Sequence, residues 1–495
     1  MNERKSGILM PVSSIPSRYG IGGFSPEAYE FVDKLAAAGQ KIWQVLPLGP
    51  TGYGDSPYQS FSTYAGNPYF ISLDLLRQDG LLTQEECDEA DCGQDPRYVS
   101  YEKLYRTRFA ALRRAFERFD SGREPLYETF LAENSAWLED YALFTVIKKD
   151  QEDRPWMEWP EPLKRREPQA LAEQAGRLAE EIRFIEFQQF EFWKQWRELK
   201  TYANEKGIRI LGDIPIYVAM DSAGAWANIK QFQFDENLRP KGVAGCPPDA
   251  YAVTGQLWGN PLYDWPYHKE TGYAWWIDRM RHVTKLYDFV RIDHFRGFEA
   301  YDSVPSGDPT AENGHWEPGP GMDIFRALEN ALGEMDVIAE DLGFLTDSVR
   351  EMVTESGYPG MKVLHFAFDS GSGNEYLPHR HIRNSVVYTG THDNETSRGW
   401  YHSITEETRG YCLRYLGCES HTEEQFARDL IRAAQASVAD TAIIPMQDYL
   451  NLGNEARMNE PSTLGGINWR WRMLPGEFTE ELAAEIRALA ETYGR

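Results

Sequence analysis

Four strand-like apolar stretches of this chain each finish in an acidic side chain. Residues 289–297 read F-V-R-I-D-H-F-R-G, with Asp293 closing the run and Arg291 two positions before it. Residues 336–343 read D-V-I-A-E-D-L-G and end in Glu340 and Asp341. Residues 385–396 read S-V-V-Y-T-G-T-H-D-N-E-T and carry His392 and Asp393, while Asp213 interrupts R-I-L-G-D-I-P-I-Y-V over 209–218. Side chains two apart on a strand share a face, so Arg291 and Asp293 point into one space. Burying either charge unpaired is costly, so the guanidinium is expected to hold the carboxylate ionised. A structural Arg–Asp bridge would read the same in isolation. Repetition separates the two readings, because the strands of a parallel barrel open their C-terminal ends on one face.

Carboxylates converging on one barrel mouth beside an arginine and a histidine fit few reactions. Hard cations take carboxylate oxygens, but Arg291 would oppose a cation beside Asp293, and no zinc-type histidine spacing is present. No metal and no cofactor is expected. Glycoside chemistry fits better, since it needs two carboxyl groups flanking the scissile bond. Asp293 beside Arg291 suits the ionised member. Glu340, on an apolar strand near other negative charges, suits the one kept protonated by desolvation. Asp393 and His392 are then placed to hydrogen-bond sugar hydroxyls.

Such a mouth needs a scaffold, and the chain supplies one. Strand-like runs fall at 7–15, 42–48, 209–218, 289–293, 336–342, 361–368, 385–391 and 442–450, with helical patterns between them. Ser25-Pro26 opens the first helix and Thr422-x-x-Gln425 a later one, the first by N-cap and N1 proline, the second as a capping box. Eight strands alternating with helices count out an α/β fold of the (β/α)8 barrel type, one catalytic domain over 1–495. Residues 74–206 carry a helical pattern and read as an inserted subdomain between the second and third strands, its last long helix running from about 170 to 206. Residues 219–272 read as a loop-rich insertion over the site, and 49–69 as a polar site-face loop with Tyr53, Tyr58 and Tyr64 available for stacking. Trp258 and Trp265 are expected to join those tyrosines in a roof over the mouth.

The 495 residues are 42% hydrophobic, ample for a sizeable core. A formal net charge of −26 repels phosphate backbones and anionic lipid, so neither nucleic acid nor a membrane surface is an expected partner. Five cysteines (87, 92, 246, 412 and 418), without a C-x-x-C pair, suggest thiols in a reducing cytoplasm. The N-terminal run is cut short by Pro11 and Ser13 and lacks a signal-peptide core. Aromatics make up 13% of the chain, suiting neutral sugar faces.

The strings R-I-D-H-F-R-G, A-E-D-L-G, G-T-H-D-N-E-T, G-D-I-P-I-Y-V, W-Q-V-L-P-L-G-P-T-G-Y-G-D-S-P-Y and G-N-P-L-Y-D-W together resemble the 4-α-glucanotransferases of the α-amylase clan, the amylomaltases or disproportionating enzymes. The resemblance covers essentially the whole chain. It implies Asp293 as nucleophile, Glu340 as acid/base and Asp393 as transition-state stabiliser, with Arg291, His392 and Asp213 in support. It implies Tyr58 and Trp258 as sugar-stacking residues, and Asp249, Asn260 and His294 among those that bind substrate. The substrates implied are maltooligosaccharides and glucans derived from starch or glycogen, handled by a monomer or weak homo-oligomer. Relative to hydrolytic amylases, Ile-Pro-Ile-Tyr follows Asp213 where an Asn-His pair is usual, and the C-terminal β-sandwich is missing. Both departures favour transfer. An α-1,4-glucan hydrolase shares every catalytic carboxylate and stands as the alternative; a binding or scaffold protein would not need nucleophile and acid together, and a metal-dependent sugar isomerase on the same barrel would need metal.

Overall fold

The computed structural model describes all residues except 1–3, 53, 92–94, 249–251, 344 and 418–421. Twelve strands form among the described residues: β1 (Lys5–Leu9), β2 (Ile42–Gln44), β3 (Arg209–Pro215), β4 (Gly242–Cys246), β5 (Gln256–Pro261), β6 (Phe289–Asp293), β7 (Ala300–Pro305), β8 (His315–Pro318), β9 (Val337–Ala339), β10 (Gly360–Val363), β11 (Ser385–Tyr388) and β12 (Thr441–Pro445). Eight of them close a parallel barrel in the order β1-β12-β11-β10-β9-β6-β3-β2. The register of β3 on β6 sets Asp213 opposite Arg291 and Pro215 opposite Asp293. Leu9, Ile42, Leu211, Ile338, Met361, Val363, Val386, Tyr388 and Ile443, drawn from seven of the eight barrel strands, form one buried cluster in the barrel interior. The alternate residues Ile8, Trp43, Ile210, Val290, Ile292 and Val337 belong to the outer core shared with the helices. That two-sided burial is why these strands are apolar throughout.

Every barrel strand overlaps a run read from the sequence, and all but β6 are shorter than their runs. The 7–15 run stops pairing at Leu9 and turns into a 3-10 helix over Val12–Ser14. The 442–450 run likewise leaves the sheet at Pro445 for a helical turn over Met446–Tyr449. Apolarity reports burial rather than ladder pairing, and the residues just past the strand ends stay buried under the site-face loops. Thr422 accepts from the Gln425 N–H as an N-cap, whereas the Ser25 hydroxyl caps no helix N–H and donates to Glu27 instead.

Two features depart from the expected layout. The 219–272 segment is not simply loop: β4 and β5 pair with each other and then with β7 and β8 in a four-stranded antiparallel sheet, order β5-β4-β7-β8. Short strands holding Gly242, Gly245, Gly259 and Pro261 carry little alternation, so pattern alone hides them. The long helix expected from 170 to 206 is two, Pro168–Arg177 and Ala179–Glu205, joined at Leu178. The second packs Phe184, Phe187, Phe190 and Trp196 inward and ends at Gly207, whose φ of 78° suits a residue without Cβ. No helix among the described residues is long and apolar enough to cross a membrane.

Candidate active site

Arg291 is the hub of the site. Its side chain, 4% exposed, donates from Nη1 to both oxygens of Asp213 at 2.8 Å and from Nη2 to Oδ1 of Asp293 at 2.8 Å. Its Nε lies 3.4 Å from the Met361 sulfur across the barrel. Asp213 is fully buried, while Asp293 keeps 31% of its side chain exposed at the mouth. The guanidinium thus pairs with two strand-end carboxylates and leaves the outer one accessible. Burial drives the Asp213 carboxyl upward, and Arg291 pulls it back. Asp213 also accepts a hydrogen bond from the Tyr58 hydroxyl at 3.0 Å.

Glu340 stands one residue beyond β9, the neighbour of β6 in the barrel. Its Oε2 accepts the His294 N–H at 2.7 Å and its Oε1 the Leu342 N–H at 3.0 Å. Burial, with help from the Asp293 charge, pushes its carboxyl up to about 7 against the opposing pull of Arg291 and the two N–H groups. One carboxylate held by a cation and another biased toward its protonated form is a division of labour suited to nucleophilic and acid–base work. Asp341, next along, is buried and accepts the Met361 N–H at 2.7 Å.

Asp393, 43% exposed, occupies the rim beyond β11. His392 Nε2 lies 3.4 Å from its Oδ1, and Asn459 Nδ2 donates to the same oxygen at 2.7 Å. Arg457 donates to the Asp393 carbonyl at 2.9 Å. The His392 ring stacks parallel on Tyr58, centroids 5.0 Å apart, with Trp469 5.9 Å from each. Below, the buried Asp448 accepts from Thr389 Oγ1 at 2.6 Å and from both the N–H and hydroxyl of Ser397 at 2.7 Å, pinning the backbone on either side of the His392–Asp393 turn. Asn459, Arg457 and Trp469 escape the sequence reading. They lie in a stretch after β12 without strand alternation, and its length and lack of periodicity are the signal that marks such loops.

The other expected residues divide. Trp258, on β5, sets its ring against the edge of His294 at 4.7 Å. Asn260 acts as a clamp, donating to the Val218 carbonyl at 2.7 Å and accepting from Gln59 at 3.3 Å. Tyr64 packs between Trp137 and His282. Trp265 is buried among Tyr263, His268 and Trp276 and forms no part of a roof; its N1-proximal place in the helix Trp265–Glu270 turns it into the core. Asp249 and Tyr53 lie outside the described residues, as do Cys92 and Cys418. The 49–69 loop is anchored by Gln189, whose amide bonds both the N–H and carbonyl of Gly66, at 2.7 and 2.9 Å. A Cβ at Gly66 would sit 2.1 Å from the Phe192 ring, so that close approach needs glycine.

A parallel barrel whose strand ends gather Asp213, Asp293 and Glu340 about one arginine, with aromatics around the mouth, has the makings of a barrel enzyme that works with paired carboxyl groups. Comparison with known proteins gives the family. A family model described as 4-alpha-glucanotransferase matches residues 10–477. A 4-alpha-glucanotransferase of Clostridium butyricum is 47% identical over 488 residues, covering 98% of this chain and all of that protein. One from Thermus thermophilus is 46% identical over 99% of both. The solved structure of an amylomaltase from Streptococcus agalactiae in complex with acarbose superposes with a TM-score of 0.96 at 40% identity, each chain covered fully. The chain belongs to the 4-alpha-glucanotransferase family.

Proposed function

We propose that this enzyme moves a segment of a 1,4-α-D-glucan to the 4-hydroxyl of an acceptor glucan or glucose by double displacement. In the first step an Asp293 oxygen attacks the anomeric carbon, the glycosidic bond breaks, and Glu340 gives its proton to the departing O4. A glucosyl ester on Asp293 results. In the second step the now ionised Glu340 takes the proton of an acceptor 4-hydroxyl, whose oxygen displaces the ester. Asp393, steadied by Asn459 and flanked by His392, hydrogen-bonds sugar hydroxyls as the ring flattens. The observation that carries this reading is the contrast between Asp293, bonded to Arg291, and Glu340, a carboxyl kept near neutrality by burial. Maltooligosaccharides and starch- or glycogen-derived glucans are the proposed donors, and their neutrality agrees with a chain of net charge −26. The chain works without nucleic acid or membrane, as a monomer or weak homo-oligomer.

Water, at roughly 55 M, competes with the acceptor, so a transferase must give a bound sugar a large advantage; proximity supplies effective molarities far above that. Tyr58, Trp258 and Trp469 around the mouth are the means. Incubated alone with maltotriose, the enzyme should release glucose and build longer maltodextrins while total reducing ends stay constant, since each bond broken is matched by one made. Reducing ends rising in step with glucose would establish the hydrolase instead. Trp258→Ala should raise the hydrolytic share, and maltosyl fluoride, whose leaving group departs as fluoride without a proton, soaked into Glu340→Gln should leave a maltosyl ester on Asp293.

A further inference from the structure

We infer that His294 is a positioning residue for Glu340: its left-handed backbone aims its own N–H at the carboxylate and thereby helps set the pH range over which Glu340 holds a proton. This rests on the acid–base reading of Glu340. His294 directly follows the end of β6 at Asp293 and adopts φ 54° and ψ 48°, a conformation that a residue bearing Cβ adopts at a cost. Such outliers persist where the surroundings fix them, and here the surroundings are visible. The His294 N–H meets Glu340 Oε2 at 2.7 Å, the next N–H, of Phe295, meets the Glu340 carbonyl at 3.1 Å, and the Glu340 N–H meets the Ile292 carbonyl at 3.1 Å. Three hydrogen bonds therefore tie the exit of β6 to the exit of β9. An N–H pointed at a carboxylate favours its ionised form, opposing burial.

The imidazole does not do this work by charge. Its Nε2 is buried without a hydrogen-bond partner, its ring stands edge-on to Trp258, and burial lowers its pKa to about 4, leaving it neutral near pH 7. The other groups bearing on Glu340 are the Leu342 N–H, Arg291 and Asp293 of β6 and Tyr376 from the segment after β10. None of them is residue 294 itself, and the contact that residue 294 makes with the Glu340 carboxylate runs through its backbone N–H.

The test is the pH profile of kcat/KM on maltotriose for the wild type and for His294→Gly, His294→Asn, His294→Ala and His294→Val. Gly and Asn accept positive φ, Ala resists it, and β-branched Val resists it most. With the N–H kept in place, Gly and Asn should hold the alkaline limb near its wild-type position, whatever the loss of the ring does to the absolute rate. Val should move that limb up by about one pH unit as the carboxylate loses a donor, with Ala in between. If Val does not fold, Gly and Ala decide. A limb moved by Gly as far as by Ala or Val, or unmoved by any substitution, overturns the proposal. Glu340→Gln separates this from a failure of the underlying reading: if that variant stays active with the same alkaline limb, the limb belongs to another group and the acid–base assignment itself falls.

Discussion

Asp293 and Glu340 stand at the exits of neighbouring strands yet meet opposite surroundings, a guanidinium for one and burial with only backbone donors for the other. Exchanging the reacting oxygen for an amide in Asp293→Asn or Glu340→Gln should lower turnover by at least about a hundredfold, because a lost nucleophile or proton donor costs orders of magnitude. Circular dichroism should be unchanged, since both residues face the mouth rather than the core; retention of most activity by either variant would remove it from the role given above. The sign of the pH dependence follows from Glu340. It must be protonated to release the leaving group, and its pKa is raised to about 7, so kcat/KM should fall as pH climbs through that value. A profile flat well into the alkaline range would mean that Glu340 is not the acid.

At the scale of the elements, β3 shows how tightly position is set. Gly212 precedes Asp213, and a Cβ there would lie 2.2 Å from the Tyr287 ring, itself buried beside β6. Overpacking of this kind costs about 1–3 kcal/mol. Gly212→Ala should therefore lower the denaturant midpoint by a corresponding amount. It should also depress activity, because the displaced strand carries Asp213 away from Arg291. An alanine variant as stable as the wild type would show that Tyr287 can step aside. The β5-β4-β7-β8 sheet does comparable work over the mouth, since it is β5 that brings Trp258 to His294 and Asn260 to Gln59.

For the whole molecule, the net charge of −26 is the dominant long-range term. Many surface carboxylates are paired, as in Arg350–Glu375 and Arg97–Glu477, but 77 acidic against 51 basic side chains leave an excess that repels itself. Salt shortens the Debye length from about 30 Å at 0.01 M to about 8 Å at 0.15 M and screens that repulsion. Thermal midpoints should therefore rise over this range, while KM for a neutral maltooligosaccharide stays nearly constant. A midpoint that falls with added salt would show that the local ion pairs outweigh the excess charge.

Much of the plan was legible in the sequence because it lies in local pattern. Strands buried on both faces must be apolar throughout, so eight such runs separated by helical periodicity define the barrel, and a charged residue breaking a run marks a strand end. Asp213, Arg291, Asp293 and Glu340 were found that way. Period two also placed Arg291 and Asp293 on one face without reference to any neighbour. What tertiary structure alone decided is which distant segments meet. The Arg291–Asp213 bond depends on the β3–β6 register, and the reach of Asn459 to Asp393 and the stacking of Trp469 beside Tyr58 and His392 depend on where an aperiodic segment folds back. The same holds for Trp265, as aromatic as Trp258 in sequence but turned into the core, and for His294, whose left-handed turn meets Glu340 only because β6 lies beside β9. Composition and periodicity record whether a residue is buried; the partner it is buried against is set by packing between segments far apart in the chain.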